Sequence, residues 1–161
     1  MRPNFRADIG SMTFMIVAIE LIQKVIDPMS ARKFGRIVNI TSGSVKMPLA
    51  GLDLSSGARA GLTAFLAGIA RSVAASNVTI NFLLPGTFDT ERLHSNIAAN
   101  AKAKGISFDE AKAQRIATVP ARRFGSPGEF GAACAFLCSA QAGYITGQSM
   151  LIDGGAFPGV M

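Results

Sequence analysis

GRIVNITSGSVKMPLAGLDLSSGARAGLTAFLAGIARSVAASNVTINFLLPG, Gly35–Gly86, is the stretch on which the fold turns. Two of its runs, RIVNIT (Arg36–Thr41) and VTINFLL (Val78–Leu84), are short, apolar and β-branched. Ser42-Gly43 ends the first and Pro85-Gly86 ends the second, so both read as strands buried on two faces. Between them a helix is predicted from about Leu54 to Ala75, with Ala58, Leu62, Phe65, Leu66, Ile69 and Val73 recurring at helical spacing. Its Gly57, Gly61 and Gly68 lower helix propensity but allow a neighbour to approach closely. Strands joined through a whole helix run parallel, which makes this a βαβ unit.

The flanks extend the same pattern. Ser11 to Phe34 reads as one long helix, apolar around much of its surface, with Gly35 where a helix C-cap favours glycine. Asp89 to Thr118 reads as two shorter helices broken near Gly105. Ser126-Pro127-Gly128-Glu129 is a helix start, with Ser at the N-cap, Pro at the first helical position and Glu three residues on; that helix runs to about Ser139. Gln148–Asp153 is a last strand, ended by Gly154-Gly155. Helix and strand alternate throughout, so the class is α/β, a parallel sheet with flanking helices, in a single domain spanning 1–161. Three strands make a narrow sheet of a kind that is normally wider.

Composition agrees and excludes other classes. The 161 residues are 49% hydrophobic, enough for a packed core. The net charge is +6, but the basic residues are scattered, and the densest run, Lys102 to Arg123, is interrupted by Asp109 and Glu110. With no Trp and a single Tyr, the chain lacks the basic and aromatic footprint of a nucleic-acid binder, and a solvated basic face is the reading. Cys134 and Cys138 read as small core residues on one helix face in a reducing compartment; with only His94 to add, no metal site is expected. Met12 to Ile19, after Arg2 and Arg6, faintly resembles a signal peptide. Glu20 ends the run, no small-residue cleavage site follows, and it is too short to span a bilayer. A buried helix of a cytoplasmic protein, with no membrane partner, is expected.

These pieces, in this order, resemble the C-terminal half of a short-chain dehydrogenase/reductase, most closely the 3-oxoacyl carrier-protein reductase-like members. The resemblance runs from about Met12 to Met161 and rests on GRIVNITS, ARAGLTAFLAGIAR, VTINFLLPGTFDT and YITGQSMLIDGG, four segments in register. It implies a Rossmann-like fold and NAD- or NADP-dependent hydride transfer on a small-molecule carbonyl or alcohol substrate. It also implies a homo-dimer or homo-tetramer, built on helices like Ser11–Phe34 and Leu54–Ala75.

Two departures from the family stand out. The strand, glycine-rich turn and helix that hold the adenosine and pyrophosphate are not found in this sequence, nor is the family's N-A-G stretch, so the cofactor-binding half is read as missing. The family's Ser, then Tyr thirteen residues later, then Lys four after that, fall without a gap on Ser42, Ser55 and Arg59. A further family residue, an Asn on the preceding helix, falls at about Phe14.

A phenol suits this chemistry because an adjacent ammonium lowers its pKa toward neutrality. A serine hydroxyl is a far weaker acid and stops nearer the backbone; an arginine keeps the charge and could contact a ribose but does not pass protons on. Ser42, Ser55 and Arg59 are therefore the candidate catalytic positions. Pro85, Gly86 and Thr90, with Arg59, are the candidate cofactor contacts, since the family's turn after this strand faces the nicotinamide carboxamide. Ser56 sits one position on, about 100° around the helix. His94 falls in the segment that forms the family's lid over substrate, Tyr144 reads as a packing and interface residue, and Asn81 as a strand-end hydrogen-bonding residue. The resemblance implies an oxidoreductase with an altered site; the alternative is a non-catalytic relative acting as an oligomer subunit or binding module.

Overall fold

The structure, a computed structural model, describes residues 9–49 and 51–159. Arg2, Arg6, Val160 and Met161 lie outside the described residues. In chain order the elements are α1 (Ile9–Ala31), β1 (Gly35–Ile40), α2 (Asp53–Val73), β2 (Val78–Pro85), α3 (Glu91–Lys104), α4 (Phe108–Ala117), α5 (Pro127–Cys138) and β3 (Ser149–Ile152). The three strands form one parallel sheet in the order β1-β2-β3, with Ile37 opposite Ile80 and Phe82 opposite Ser149.

β2 occupies the centre because its sequence suits burial on both faces. Ile80, Phe82 and Leu84 point one way and pack on Leu62, Leu66 and Ala70 of α2 and Ile22 of α1. Leu83 points the other way, onto Leu137 of α5 and Ala142. The result is a helix–sheet–helix sandwich, Rossmann-like in its layers. Within β2, Asn81 is buried and hydrogen-bonded through both ends of its amide: its Nδ2 donates to the Ile145 carbonyl (2.8 Å) and its Oδ1 accepts from the Gln148 amide (3.1 Å). That satisfies a polar group which would otherwise weaken the core. A third cluster, Ile97, Ala101, Ala111 and Phe124, joins α3 to α4 beside the sheet.

β1 differs from β2. Among the described residues it pairs on one side only, its residues are mostly half-buried, and Ile40 is 50% exposed. The Nδ2 of Asn39 and the Oγ1 of Thr41 are buried without a hydrogen-bond partner. No charge or proline blunts this edge beyond Arg36, whose guanidinium bonds to the carbonyls of Ser139, Gly35 and Asn77.

Several expectations are corrected. The first helix ends at Ala31, not Phe34, and Gly35 is the first residue of β1 instead of a helix cap. Lys33 takes the left-handed conformation in that turn (φ 56°). Glycine is required at 35 for space, since a Cβ there would meet Met29 side-chain atoms at 2.7–2.9 Å. Helix α1 is buried on one side only: Ile22 packs in the core, whereas Met12, Ile16, Val17, Leu21 and Val25 are exposed. Tyr144 is fully exposed, so it has no packing role among the described residues. Cys134 is half-buried and packs against the cluster of Leu83, Leu137 and Ala142, whereas Cys138 is exposed and is not a core residue. No helix among the described residues is long and apolar enough to cross a membrane, and no group of three or more His, Cys, Asp or Glu among them could hold a metal.

The α5 start has the predicted capping box, strengthened by Arg123. Ser126 Oγ accepts from the Glu129 amide (3.2 Å), and Glu129 accepts from the Ser126 amide (2.7 Å) and from both Nη atoms of Arg123 (2.8 and 2.6 Å). The Arg123 hydrogen bond, followed by that from the Ser126 backbone, pulls the Glu129 carboxyl from 4.5 down to about 2. A pKa lowered by folding gives a contribution that is full above the unfolded value and lost as pH falls through the folded one. Carboxyl NMR is therefore expected to show Glu129 ionised until about pH 2, and Glu129→Gln should flatten acid destabilisation between pH 4.5 and 2. Titration of Glu129 near 4.5 in the folded chain would contradict the linkage.

Candidate functional site

Parallel strands end together, and the crevice beyond their carboxyl ends is where an open α/β sheet binds ligands. Here β1 delivers Ser42, β2 delivers Pro85-Gly86-Thr87, and β3 delivers Asp153. All of these line one cleft of about 370 Å³, together with Met47, Leu49, Leu151 and Phe157. A larger cleft of about 450 Å³ lies between α3 and α4 and contains none of the candidate residues. The smaller one is the candidate site, because position at the strand ends outweighs size.

Ser42 is held in extended backbone (φ −166°) as the cap of a short 3-10 turn, Gly43–Val45, and its Oγ accepts from the Ser44 amide (3.1 Å). That bond uses a lone pair and leaves the hydroxyl proton available to donate into the cleft. Gly86 is fixed by close approach. Its amide donates to the Ile152 carbonyl (2.8 Å), and a Cβ would stand 2.5 Å from the Asp153 Cβ and 2.6 Å from its Cα. The Ile152–Asp153 backbone leaves no room for a side chain, so the chain after β2 and the end of β3 meet tightly at the floor of the site. The Asp153 carboxylate accepts from the amides of Gly155 (2.9 Å) and Phe157 (2.8 Å), folding the chain after β3 back over the cleft.

Ser55 and Arg59 stand one turn apart at the start of α2 and touch each other: Arg59 Nη1 donates to the Ser55 hydroxyl and, at 3.4 Å, to the Ser55 carbonyl. The guanidinium carbon lies 4.8 Å from the centroid of the Phe14 ring of α1. Phe14 is therefore a stacking platform at the position where the resemblance implies an Asn. Arg59 Nε is buried with no hydrogen-bond partner, a donor that a ligand oxygen would satisfy. Neither Ser55 nor Arg59 lines the cleft. Ser56 is buried, its Oγ unpartnered, and does not reach the cleft either.

Thr90 caps α3, its Oγ1 accepting from the Leu93 amide (3.3 Å). His94, one turn along α3, contacts Asp89 Oδ1 through Nε2 (2.6 Å) and packs edge-on to Phe108. Neither residue lines the cleft, so the structure gathers Ser42, Pro85 and Gly86 and leaves Ser55, Arg59, Thr90 and His94 beside them. Thr87, Arg115, Thr118 and Asp153 are lining residues that sequence reasoning passed over. Arg115 was concealed inside the run dismissed as a solvated basic face.

A nicotinamide dinucleotide fits this set of residues only in part. The Pro85-Gly86-Thr87 turn and the Ser42 hydroxyl offer backbone and side-chain groups of the kind a nicotinamide end uses. No glycine-rich turn from a strand into a helix N-terminus is found among the described residues to hold a pyrophosphate.

Comparison with known proteins gives a consistent result. Residues 14–156 match the family described as Enoyl-(Acyl carrier protein) reductase. The NADPH-dependent reductase BacG of Bacillus subtilis (strain 168) is 34% identical over 145 residues, covering 90% of this chain and 56% of the relative. The 3-oxoacyl-[acyl-carrier-protein] reductase FabG of Vibrio cholerae serotype O1 is 35% identical over 137 residues, 85% of this chain and 52% of the relative. The crystal structure of YwfH, an NADPH-dependent reductase involved in bacilysin biosynthesis, superposes with a TM-score of 0.86 at 32% identity, covering 96% of this chain and 61% of that one. L-sorbose reductase from Gluconobacter frateurii, complexed with NADPH and L-sorbose, gives a TM-score of 0.87 at 25% identity over 97% of this chain and 61% of that one. The chain thus spans about half the length of the curated relatives it matches.

Proposed function

The chain belongs to the short-chain dehydrogenase/reductase family, and on that premise we propose that it carries the substrate side of an NADPH-dependent carbonyl reductase site. The reading rests on one observation above all: Ser42 and Pro85-Gly86 line a single cleft at the strand ends. The bound cofactor would supply the hydride. In this reading Ser42 donates its free hydroxyl proton as a hydrogen bond to the substrate oxygen, and the Pro85–Thr87 turn, with Thr90, orients the nicotinamide. Ser55 and Arg59 occupy the positions of the family's proton donor and its lysine. Serine is too weak an acid to protonate a developing alkoxide, so hydride transfer by these residues alone is expected to be slow.

The relatives named as NADPH-dependent reductases support NADPH over NADH. The exposed apolar residues of α1, with Phe65 and Leu54 of α2, support a homo-oligomer in which a second copy covers them.

A fluorescence titration tests the reading. The chain is expected to bind reduced nicotinamide mononucleotide and NADPH saturably and with similar affinity, because the proposed contacts reach only the nicotinamide end. The mass of the species in solution, measured on the same samples, is expected to exceed that of a monomer. A strong preference for NADPH would show that the chain reads the pyrophosphate or adenosine. Failure of a folded sample to bind either nucleotide would remove the cofactor-side assignment.

A further inference from the structure

The charge distribution in the cleft at the strand ends is one-sided. Arg115, in the last turn of α4, lines the cleft beside Thr87 and Thr118. Its Nη2 reaches only the Thr87 hydroxyl, at 3.5 Å, and it takes part in neither of the ion pairs found among the described residues. Thr118 Oγ1 donates to the Arg115 carbonyl (2.8 Å), which pins the helix end that carries the side chain. A second cation stands outside the lining, next to two residues of it: Lys46 precedes Met47 in the chain, and its Nζ lies 6.0 Å from the ring centroid of Phe157. The one carboxylate in the lining is Asp153, and both of its oxygens already accept backbone amides. Arg115 is therefore the one cation in a lining whose only anion is committed to backbone amides.

The remaining wall is apolar. Met47 and Leu49 line the mouth and are exposed, while Val119, Leu151 and Phe157 form the interior. A guanidinium fork at one end and an apolar wall along the side match a molecule with a carboxylate head and a short hydrocarbon body.

We propose that the cleft binds amphipathic carboxylates through Arg115, so that the substrate class is a carbonyl compound bearing its own carboxylate. That the ligand is a substrate rests on the reductase reading; the carboxylate site does not. Arg115 is then the residue that selects charged over neutral compounds. Lys46, beside the cleft, adds long-range attraction, and the Thr87 hydroxyl, which accepts from Arg115 and keeps its own proton, takes part in holding the head group.

The test uses the 161-residue chain without cofactor, with hexanoate, hexanamide and inorganic phosphate as probes, read by amide NMR shifts at Gly43, Thr87 and Thr118. Hexanoate is expected to bind about tenfold more tightly than hexanamide, the scale of a charge-assisted hydrogen bond. Arg115→Gln should abolish that preference and Arg115→Lys should keep part of it, with the spectrum itself reporting that each variant folds. Equal binding of hexanoate and hexanamide, no binding of either, or a preference that survives Arg115→Gln would overturn the proposal. Phosphate producing the same shifts at the same concentrations would overturn it too, by showing a plain anion site with no use for the apolar wall. Because no nucleotide is present, a carboxylate preference can stand while the nucleotide titration fails, and the reverse outcome is equally readable.

Discussion

Phe82→Ala is expected to cost about 3–5 kcal/mol of folding stability, the usual range for removing a buried phenylalanine. Phe82 is the largest of the fully buried side chains and sits in the central strand, paired with Asn39 on one side and Ser149 on the other. Its ring belongs to the cluster formed by α1, α2 and β2, so the cavity would open where three elements meet. Domains of this size have about 5–15 kcal/mol in total, and the loss would be a large share of it. Ile40→Ala is the comparison: Ile40 is half exposed on the unpaired edge, and its truncation should cost under about 1 kcal/mol. Urea unfolding followed by circular dichroism measures both. If the two substitutions cost the same, β2 is not the core of the fold in solution.

The contrast between those two strands explains what could be read from the sequence. β2 was legible because VTINFLL is short, largely apolar and bounded by Pro85-Gly86, with only Thr79 and Asn81 polar, which is the composition of a strand buried on both faces. The α5 start was legible because a capping box is a local device, complete within Ser126 to Glu129. Gly35 was misread for the opposite reason. Its smallness answers Met29, packed against it across the turn, while the left-handed turn residue is Lys33, which carries no such signal. The exposed residues of α1, and Tyr144, were misread for a related reason: their apolar or aromatic character is not matched by burial among the described residues. Local pattern records that a side chain is apolar but not what will cover it.

The same distinction runs through the site. Ser42 and Pro85-Gly86 follow directly from strand ends, which sequence locates well. Arg115 is brought to the cleft by the packing of α3 against α4 and of Val119 and Phe124 beyond them, none of which has a short-range signature. The role of Asp153 is similarly non-local. It meets Gly86 from a strand that lies 67 positions further along the chain, and the glycine at 86 is intelligible only once that contact is known.

Ser55→Tyr combined with Arg59→Lys is expected to raise turnover by roughly two to four orders of magnitude, the contribution of a placed general acid. The comparison uses a fusion of this chain to the portion of the Bacillus subtilis reductase that the match does not cover. On the reductase reading, what limits the present site is its proton donor: Arg59 is bonded to Ser55 and stacked on Phe14, and neither group carries a transferable proton near neutral pH. A tyrosine alone would meet the guanidinium fork without gaining a lysine, and a lysine alone would have only a serine to polarise. Each single change should therefore recover little, and the pair far more than their product. Nucleotide affinity, measured alongside, separates chemistry from binding. A double variant that binds NADPH as the parent fusion does and is no faster would show that the missing phenol is not what limits the site. A double variant that gains turnover only toward substrates bearing a carboxylate would join the two proposals, with the acid at 55 and the anchor at 115 acting on one molecule.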